Sequence, residues 1–382
     1  MVREVAPNLS YHYWYLGIRG KNLDEEASPL VMVRGSEFSH EREIEMEDDE
    51  GHMGTATTKV SSYRTKASAN PSFTDKCRYL EGWEDIWMLL LGSEDNQGNI
   101  RKQETSTGSG IYEYTFEVNT ETPQNPYFAT LYNGFAKSPN NDDGYIYGDG
   151  LLGEFECSGS NEEAPTYTAT FSTNYPKINQ RNPARVLATK TIFPKSADVK
   201  LYIAPVGTSE ADMLQSYEYP CYLEWSFNVN NNLESVPCSG DAFGESTKVL
   251  GNREGEVSIT LPWTSTTRFL EREFETGYAQ ISSEHDSVTS DNVVKKIMIV
   301  MENGKIKDNS DLKYKTTIII PQVVLTSVYS EQSGSDAKQI ELEGNIEESG
   351  QESFITCKIV TDLEDLHIDD TVGHANTPYA TS

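Results

Sequence analysis

The sequence predicts a mainly β protein: two tandem β-sandwich or barrel domains, each with one flanking α-helix. Three observations carry that expectation. Apolar runs are short and broken by turn residues, with 27 glycines and 21 tyrosines among 382 residues. Two stretches alternate polar and apolar residues with the two-residue period of a strand. Those stretches stand 187 positions apart (Glu37 and Glu224), which marks an internal duplication.

The first stretch is EFSHEREIEME. Glu37, Ser39, Glu41, Glu43, Glu45 and Glu47 hold one parity; Phe38, His40, Arg42, Ile44 and Met46 hold the other. An extended chain gathers the carboxylates on one face, whereas a helix would scatter them. Glutamate is a good helix former, so this stretch alone leaves a solvated helix open. Its partner, EWSFNVNNNLE, reads more clearly as a strand, because β-branched and aromatic residues alternate with asparagine. Here Glu224, Ser226, Asn228, Asn230, Asn232 and Glu234 oppose Trp225, Phe227, Val229 and Leu233.

The remaining elements follow in order. Residues 1–10 read as an arm and Tyr11 to Ile18 as a first strand, matched by KLYIAP from Lys200 to Pro205. Loops containing DEEASP and TSEADMLQ come next, and Leu30 to Arg34 forms a short strand before the acidic one. EDDEGHMG and ESVPCSGDAFGE read as loops. TATTKVSSYRT and NPSFTD are expected as two antiparallel strands, with TKVLGN and GEVSITLPWTS as counterparts. KCRYLEGWEDIWMLLLG carries Tyr79, Leu80, Trp83, Ile86, Trp87 and Leu90 at helical spacing, with Gly92 as C-cap. Its aromatic stripe is core packing by type, and REFETGYA after Arg268-Phe269-Leu270-Glu271 is its counterpart. YEYTFEVN is matched with VVKKIMIVMEN, and residues of about 120–150 are read as a long insert in the first copy. Each half closes with further strands, and DLEDLHIDDTVGHANTPYATS reads as an exposed polar tail. The division predicted is 1–187 and 188–382.

Composition removes several function classes. A net charge of −29 repels nucleic acid, whose affinity for proteins comes largely from Lys and Arg. No run approaches the length of a membrane span, and the N-terminus shows no apolar signal core, so neither membrane nor secretion is expected. Five widely spaced cysteines without C-x-x-C read as reduced thiols.

In this order of elements the chain resembles tail tube proteins of long-tailed phages. The likeness rests on EFSHEREIEMEDDEG, on SFTDKCRYLEGWEDIWMLLLG and on IIIPQVVLTSVYSEQSGSDAKQIELEGN. The resemblance implies a β-sandwich with one flanking helix, whose inner strands join between subunits into a barrel around a lumen. It implies rings of six domains stacked into a tube in the virion tail, assembled in the host cytoplasm. With two domains per chain, the ring is a pseudo-hexameric homotrimer; the alternative is a homohexamer. Implied partners are further copies of the chain, a tape-measure protein, a tail terminator and tail tip or baseplate proteins. DNA passes through without specific binding. The lumen is assigned to the polar parity of both stretches: Glu37, Ser39, Glu41, Glu43, Glu45 and Glu47, with Glu224, Ser226, Asn228, Asn230, Asn232 and Glu234.

Catalysis finds little support. The six histidines form no helical H-x-x-x-H pair, and NNDDGYIYGDG lacks calcium-loop spacing, so no metal or cofactor is expected. No nucleophile elbow, Walker loop or dinucleotide fingerprint occurs. Two other readings stand beside the tube: a different virion β-sandwich (terminator, neck adaptor or decoration protein), and a carbohydrate-binding β protein.

Overall fold

A computed structural model describes residues 12–19, 31–33, 37–50, 59–92, 100–118, 127–136, 142–173, 176–179, 191–236, 247–265, 267–283, 293–306, 311–331, 338–348 and 352–368. In chain order the first half holds β1 (His12–Arg19), β2 (Val31–Val33), β3 (Glu37–Glu50), β4 (Lys59–Lys76), α1 (Trp83–Leu91), β5 (Lys102–Glu104) and β6 (Tyr112–Glu117), then β7 (Phe128–Ala136), β8 (Asp142–Ser160), β9 (Thr166–Ser172) and β10 (Lys177–Asn179). The second half holds β11 (Val199–Pro205), α2 (Glu210–Ser216), β12 (Glu218–Tyr219), β13 (Glu224–Asn230), β14 (Leu233–Val236), β15 (Thr247–Leu250) and β16 (Glu254–Pro262), then α3 (Arg268–Ser283), β17 (Val294–Lys305), β18 (Lys313–Glu331), β19 (Gln339–Ile346) and β20 (Thr356–Thr361). The fold is mainly β, and the named strands pair antiparallel throughout.

The strands of both halves pair in the same order. In the first half β2 pairs β1, β1 pairs β7, β7 pairs β8, and β8 pairs both β9 and β10; β9 then pairs β4, and β4 pairs β3. The second half repeats this with β12, β11, β17, β18, β19, β20, β16 and β13. Among the described strands two pairings cross between the halves: β8 with β13, and β20 with β6. The first joins β3-β4-β9-β8 to β13-β16-β19-β18 as one eight-stranded sheet.

These registers correct several expectations. The counterpart of β17 is β7, because each pairs the first strand of its repeat and the long strand that follows. Tyr112–Glu117 has the same alternation, but with β5 it extends the sheet of the second repeat through β20. The supposed insert therefore contains β7 and the start of β8. Lys59–Lys76 is one strand, not two; the chain absorbs a register shift between Glu45 and Met46 of β3 with an extra residue on the β4 side. TSEADMLQ holds a helix: Ser209 accepts from the Asp212 amide at 3.2 Å, the N-cap contact that starts α2.

α1 starts at Trp83, later than the periodicity suggests, because Leu80 (φ 64°) and Gly82 (φ 99°) are left-handed. Gly92 ends it as expected, with φ 85° and its amide bonded to the Met88 carbonyl at 2.9 Å. Every residue of α1 is buried. An aromatic chain explains why. Trp83 lies 5.1 Å from Tyr167, Trp87 lies 5.2 Å from Phe155 and 6.3 Å from Phe227, and Phe155 lies 6.0 Å from Phe227 (ring centroids). Trp83 Nε1 also donates to Thr316 Oγ1 at 3.0 Å. The helix of the first repeat is thus packed against strands of both repeats in a shared core.

The segment after β20 is docked, where the sequence suggests an exposed tail. Leu366 is buried, and the Tyr114 hydroxyl donates to the Glu364 carbonyl at 2.6 Å. The backbone amide of His367 donates to Asp85 Oδ1 at 2.9 Å, and its Nδ1 lies 2.8 Å from Asp85 Oδ2. Burial acts to lower the His367 pKa, but the charge and hydrogen bond of Asp85, with Glu84 behind it, lift it to about 9. Glu84 is fully buried; burial first, then the Asp85 charge, raise it to about 7, against hydrogen bonds that include two 3.1 Å contacts from the Leu80 amide. Residues 369–382 of the predicted tail lie outside the described residues. Cys77, Cys157 and Cys357 are buried free thiols and Cys221 is an exposed one.

Candidate functional site

Strand alternation sets which side chains share a face, and the registers carry that face from strand to strand. One row across the eight-stranded sheet runs Glu37, Thr74, Thr168, Glu156, Asn228, Glu256, Asn345. The row beside it runs Ser39, Ser72, Thr170, Glu154, Asn230, Glu254. On the other side stand Lys76, Thr166, Ser158, Ser226, Ser258, Glu343 and Ser327. Intervening rows, such as Phe73, Ala169, Phe155 and Val229, are buried core.

The polar face has an internal order. Among the described side chains, carboxylates on it stand opposite hydroxyls or amides, not opposite another carboxylate: Glu154 faces Asn230 and Thr170, Glu156 faces Asn228 and Thr168, and Glu341 and Glu343 face Thr260 and Ser258. Two carboxylates about 5 Å apart would repel by about 0.8 kcal/mol even in bulk water, so this spacing limits the cost of a dense acidic surface. Asn228 ties the strands locally: its Oδ1 accepts from the Glu256 amide at 3.0 Å, and its Nδ2 lies 3.4 Å from Glu256 Oε2. Around it Glu154, Glu156, Glu254, Glu256, Asn230 and Asn345 line a trough of about 650 Å³. Its one cation among the described lining residues, Arg253, is held at the end by Asn231 Oδ1 (2.7 Å) and the Leu90 carbonyl (3.4 Å).

Against this geometry stand the comparisons with known proteins. No family model matches the chain, and no curated protein matches it. A chain of the SPP1 tail tube, from a hybrid solid-state NMR and cryo-EM structure, is similar at 11% identity and a TM-score of 0.24, covering 49% of this chain and 89% of that one. The overlap is too slight to transfer a function. No helix among the described residues is long and apolar enough to cross a membrane.

The residues singled out from sequence fall as follows. Glu37, Ser39, Glu224 and Asn228 are exposed on the polar face, with Ser226 and Asn230 half-buried there. Glu41, Glu43, Glu45 and Glu47 occupy β3 positions opposite Asn70, Ser68, Lys66 and Tyr63; their side chains lie outside the described residues. Asn232 and Glu234 do not continue the row. β13 ends at Asn230, Asn232 turns left-handed (φ 45°), and Leu233–Val236 pairs with β15 in a separate two-stranded sheet. Asn231 is buried, donating from Nδ2 to the Leu152 carbonyl at 2.8 Å, which pins the turn. The sequence reading omitted Glu154, Glu156, Glu254, Glu256, Glu341 and Glu343. Their signal was present in GEFECSG, EGEVSIT and QIELEGN, which alternate acids with apolar residues as the two chosen stretches do.

Where the repeats join, Gly159 faces Trp225. A Cβ there would lie 2.7 Å from the indole, so glycine is required for β8 and β13 to pair over that ring.

Proposed function

We propose that this chain is a structural subunit of a hollow tube of the phage-tail type, with the polar face of the eight-stranded sheet lining its lumen. One observation carries the reading: two four-stranded repeats are joined edge to edge by β8 and β13 into a single polar face, rich in carboxylates, amides and hydroxyls, with a trough over β9, β8, β13, β16 and β19. The same head-to-tail step, repeated between chains, turns a sheet with open edges into a ring. Three chains supply six repeats, and stacked rings make the tube. A mostly anionic wall suits DNA passage, because it repels phosphates and leaves them few cations to bind. Tape-measure, terminator and tip or baseplate proteins are the partners of such a tube, in a virion tail assembled in the host cytoplasm.

Negative-stain electron microscopy of the purified protein is expected to show long hollow tubes. Isolated rings would favour a terminator or neck protein, and monomers at all concentrations would end the proposal. The lumen has its own test. Tubes of Glu154→Lys/Glu156→Lys/Glu256→Lys are expected to retain short duplex DNA in co-sedimentation, where wild-type tubes do not. Each new phosphate contact should steepen the log–log salt dependence by about 0.9. Equal retention by wild-type and variant tubes would place these residues away from the channel.

A further inference from the structure

The two helices of the duplication differ in one way that their sequences do not explain. Arg78-Tyr79-Leu80-Glu81, just before α1, matches Arg268-Phe269-Leu270-Glu271, the start of α3. Tyr79 is 0% exposed, whereas Phe269 is 56% exposed. The cover over Tyr79 comes from the other repeat: its hydroxyl donates to the Met301 carbonyl at 3.0 Å and accepts from Thr316 Oγ1 at 3.2 Å, and its ring lies 5.4 Å from that of Tyr314. Met301 and Thr316 are paired across β17 and β18. Their register equivalents in the first repeat are Phe135 and Asp143, paired across β7 and β8. Within one chain that surface belongs to the repeat preceding α3, and among the described residues Phe269 has no cover of the kind that Tyr79 has.

The sheet edges tell the same story. β8 uses residues 154–160 to pair β13, but the equivalent part of β18, from Ser327 on, carries only β19 among the described strands. At the far end β3, the equivalent of β13, pairs only β4 among the described strands.

We infer that one heterologous interface between copies of this chain satisfies both: β18 of one copy pairs antiparallel with β3 of the next, while Phe269 packs on the β7–β8 end of that same neighbour. This rests on the tube reading and specifies its contact surface. The β8–β13 register, transferred through the repeat, places Ser327 opposite Glu43, Val328 opposite Arg42, Tyr329 opposite Glu41 and Glu331 opposite Ser39. Charge supports that register independently. A slip of two residues one way sets Glu331 against Glu41, and the other way sets Glu331 against Glu37. A slip of one turns the acidic parity of β3 to the core side. Among the registers that keep this parity, the transferred one alone sets Glu331 opposite a neutral residue, as the intrachain join does for its carboxylates.

Cysteine pairing in the assembled protein tests the interface. Mixed Glu41→Cys and Tyr329→Cys chains, oxidised after assembly, are expected to give a disulfide-linked dimer on non-reducing gels at least tenfold above the parent chain with its native thiols. Glu45→Cys with Tyr329→Cys, four residues out of register, should stay at the parent level. Phe269→Asp is expected to raise the protein concentration needed for assembly at least tenfold while leaving the urea midpoint of the protomer unchanged. Tubes that form normally from Phe269→Asp, or that cross-link out of register only, would overturn this interface and leave the tube reading standing. Wild-type protein that never assembles would overturn both.

Discussion

Replacing Trp87 by alanine is expected to destabilise the protomer by about 3–5 kcal/mol, the usual loss for a buried aromatic. Trp87 is fully buried, and its ring touches Trp83 edge-on at 5.6 Å, Phe155 at 5.2 Å and Phe227 at 6.3 Å. Trp83 belongs to the same helix, Phe155 to β8 and Phe227 to β13, so the void would open beneath the join of the two repeats. The indole N–H finds no acceptor among the described residues, which makes the loss one of packing. Trp87→Phe should therefore recover more than half of the stability. Urea unfolding gives the measurement, with Phe269→Ala as the exposed counterpart expected to change the protomer by about 0.5 kcal/mol or less. A Trp87→Ala loss under about 1 kcal/mol would mean that α1 does not hold the repeats together.

What was legible in the sequence follows the same physics. β13 and β16 could be read because each is buried on one side only, and a one-sided environment writes a two-residue period into the chain. The period names the face of a strand and not its neighbour. That is why Tyr112–Glu117, with a pattern as good as any, was matched to β17 although it pairs β20. β7 was hidden for the opposite reason: FATLYNGFA is buried at Ala129 through Asn133, so it does not alternate. The row through Asn232 failed at a residue type that tolerates left-handed backbone, and parity continues in the letters even where the strand has stopped. The open edges and the uncovered Phe269 are properties of pairing, and no single-residue pattern records them.

Stability is expected to fall as pH rises from about 5 to 9.5, and two buried groups beside α1 set the slope. The folded-state pKa of His367, about 9, lies above its ordinary 6.5, so the imidazolium–Asp85 contact stabilises fully below pH 6.5 and is lost as pH rises through 9. The folded-state pKa of Glu84, about 7, lies above its ordinary 4.5. The folded protein therefore holds that proton more tightly than the unfolded chain, and stability declines as pH climbs from 4.5 through 7. Both effects act in one direction. Each pH unit over which the two states differ by one proton is worth about 1.4 kcal/mol, so each group accounts for up to about 3 kcal/mol. Urea midpoints across this range are the measurement. Glu84→Gln is expected to flatten the limb below pH 7, and His367→Gln the limb between 6.5 and 9. Self-repulsion of a chain carrying −29 also grows with pH, but it is common to wild type and variants and cancels in the difference. If His367→Gln left the upper limb unchanged, the segment after β20 would not be latched to Asp85 in solution, and the burial of α1 would owe nothing to that contact.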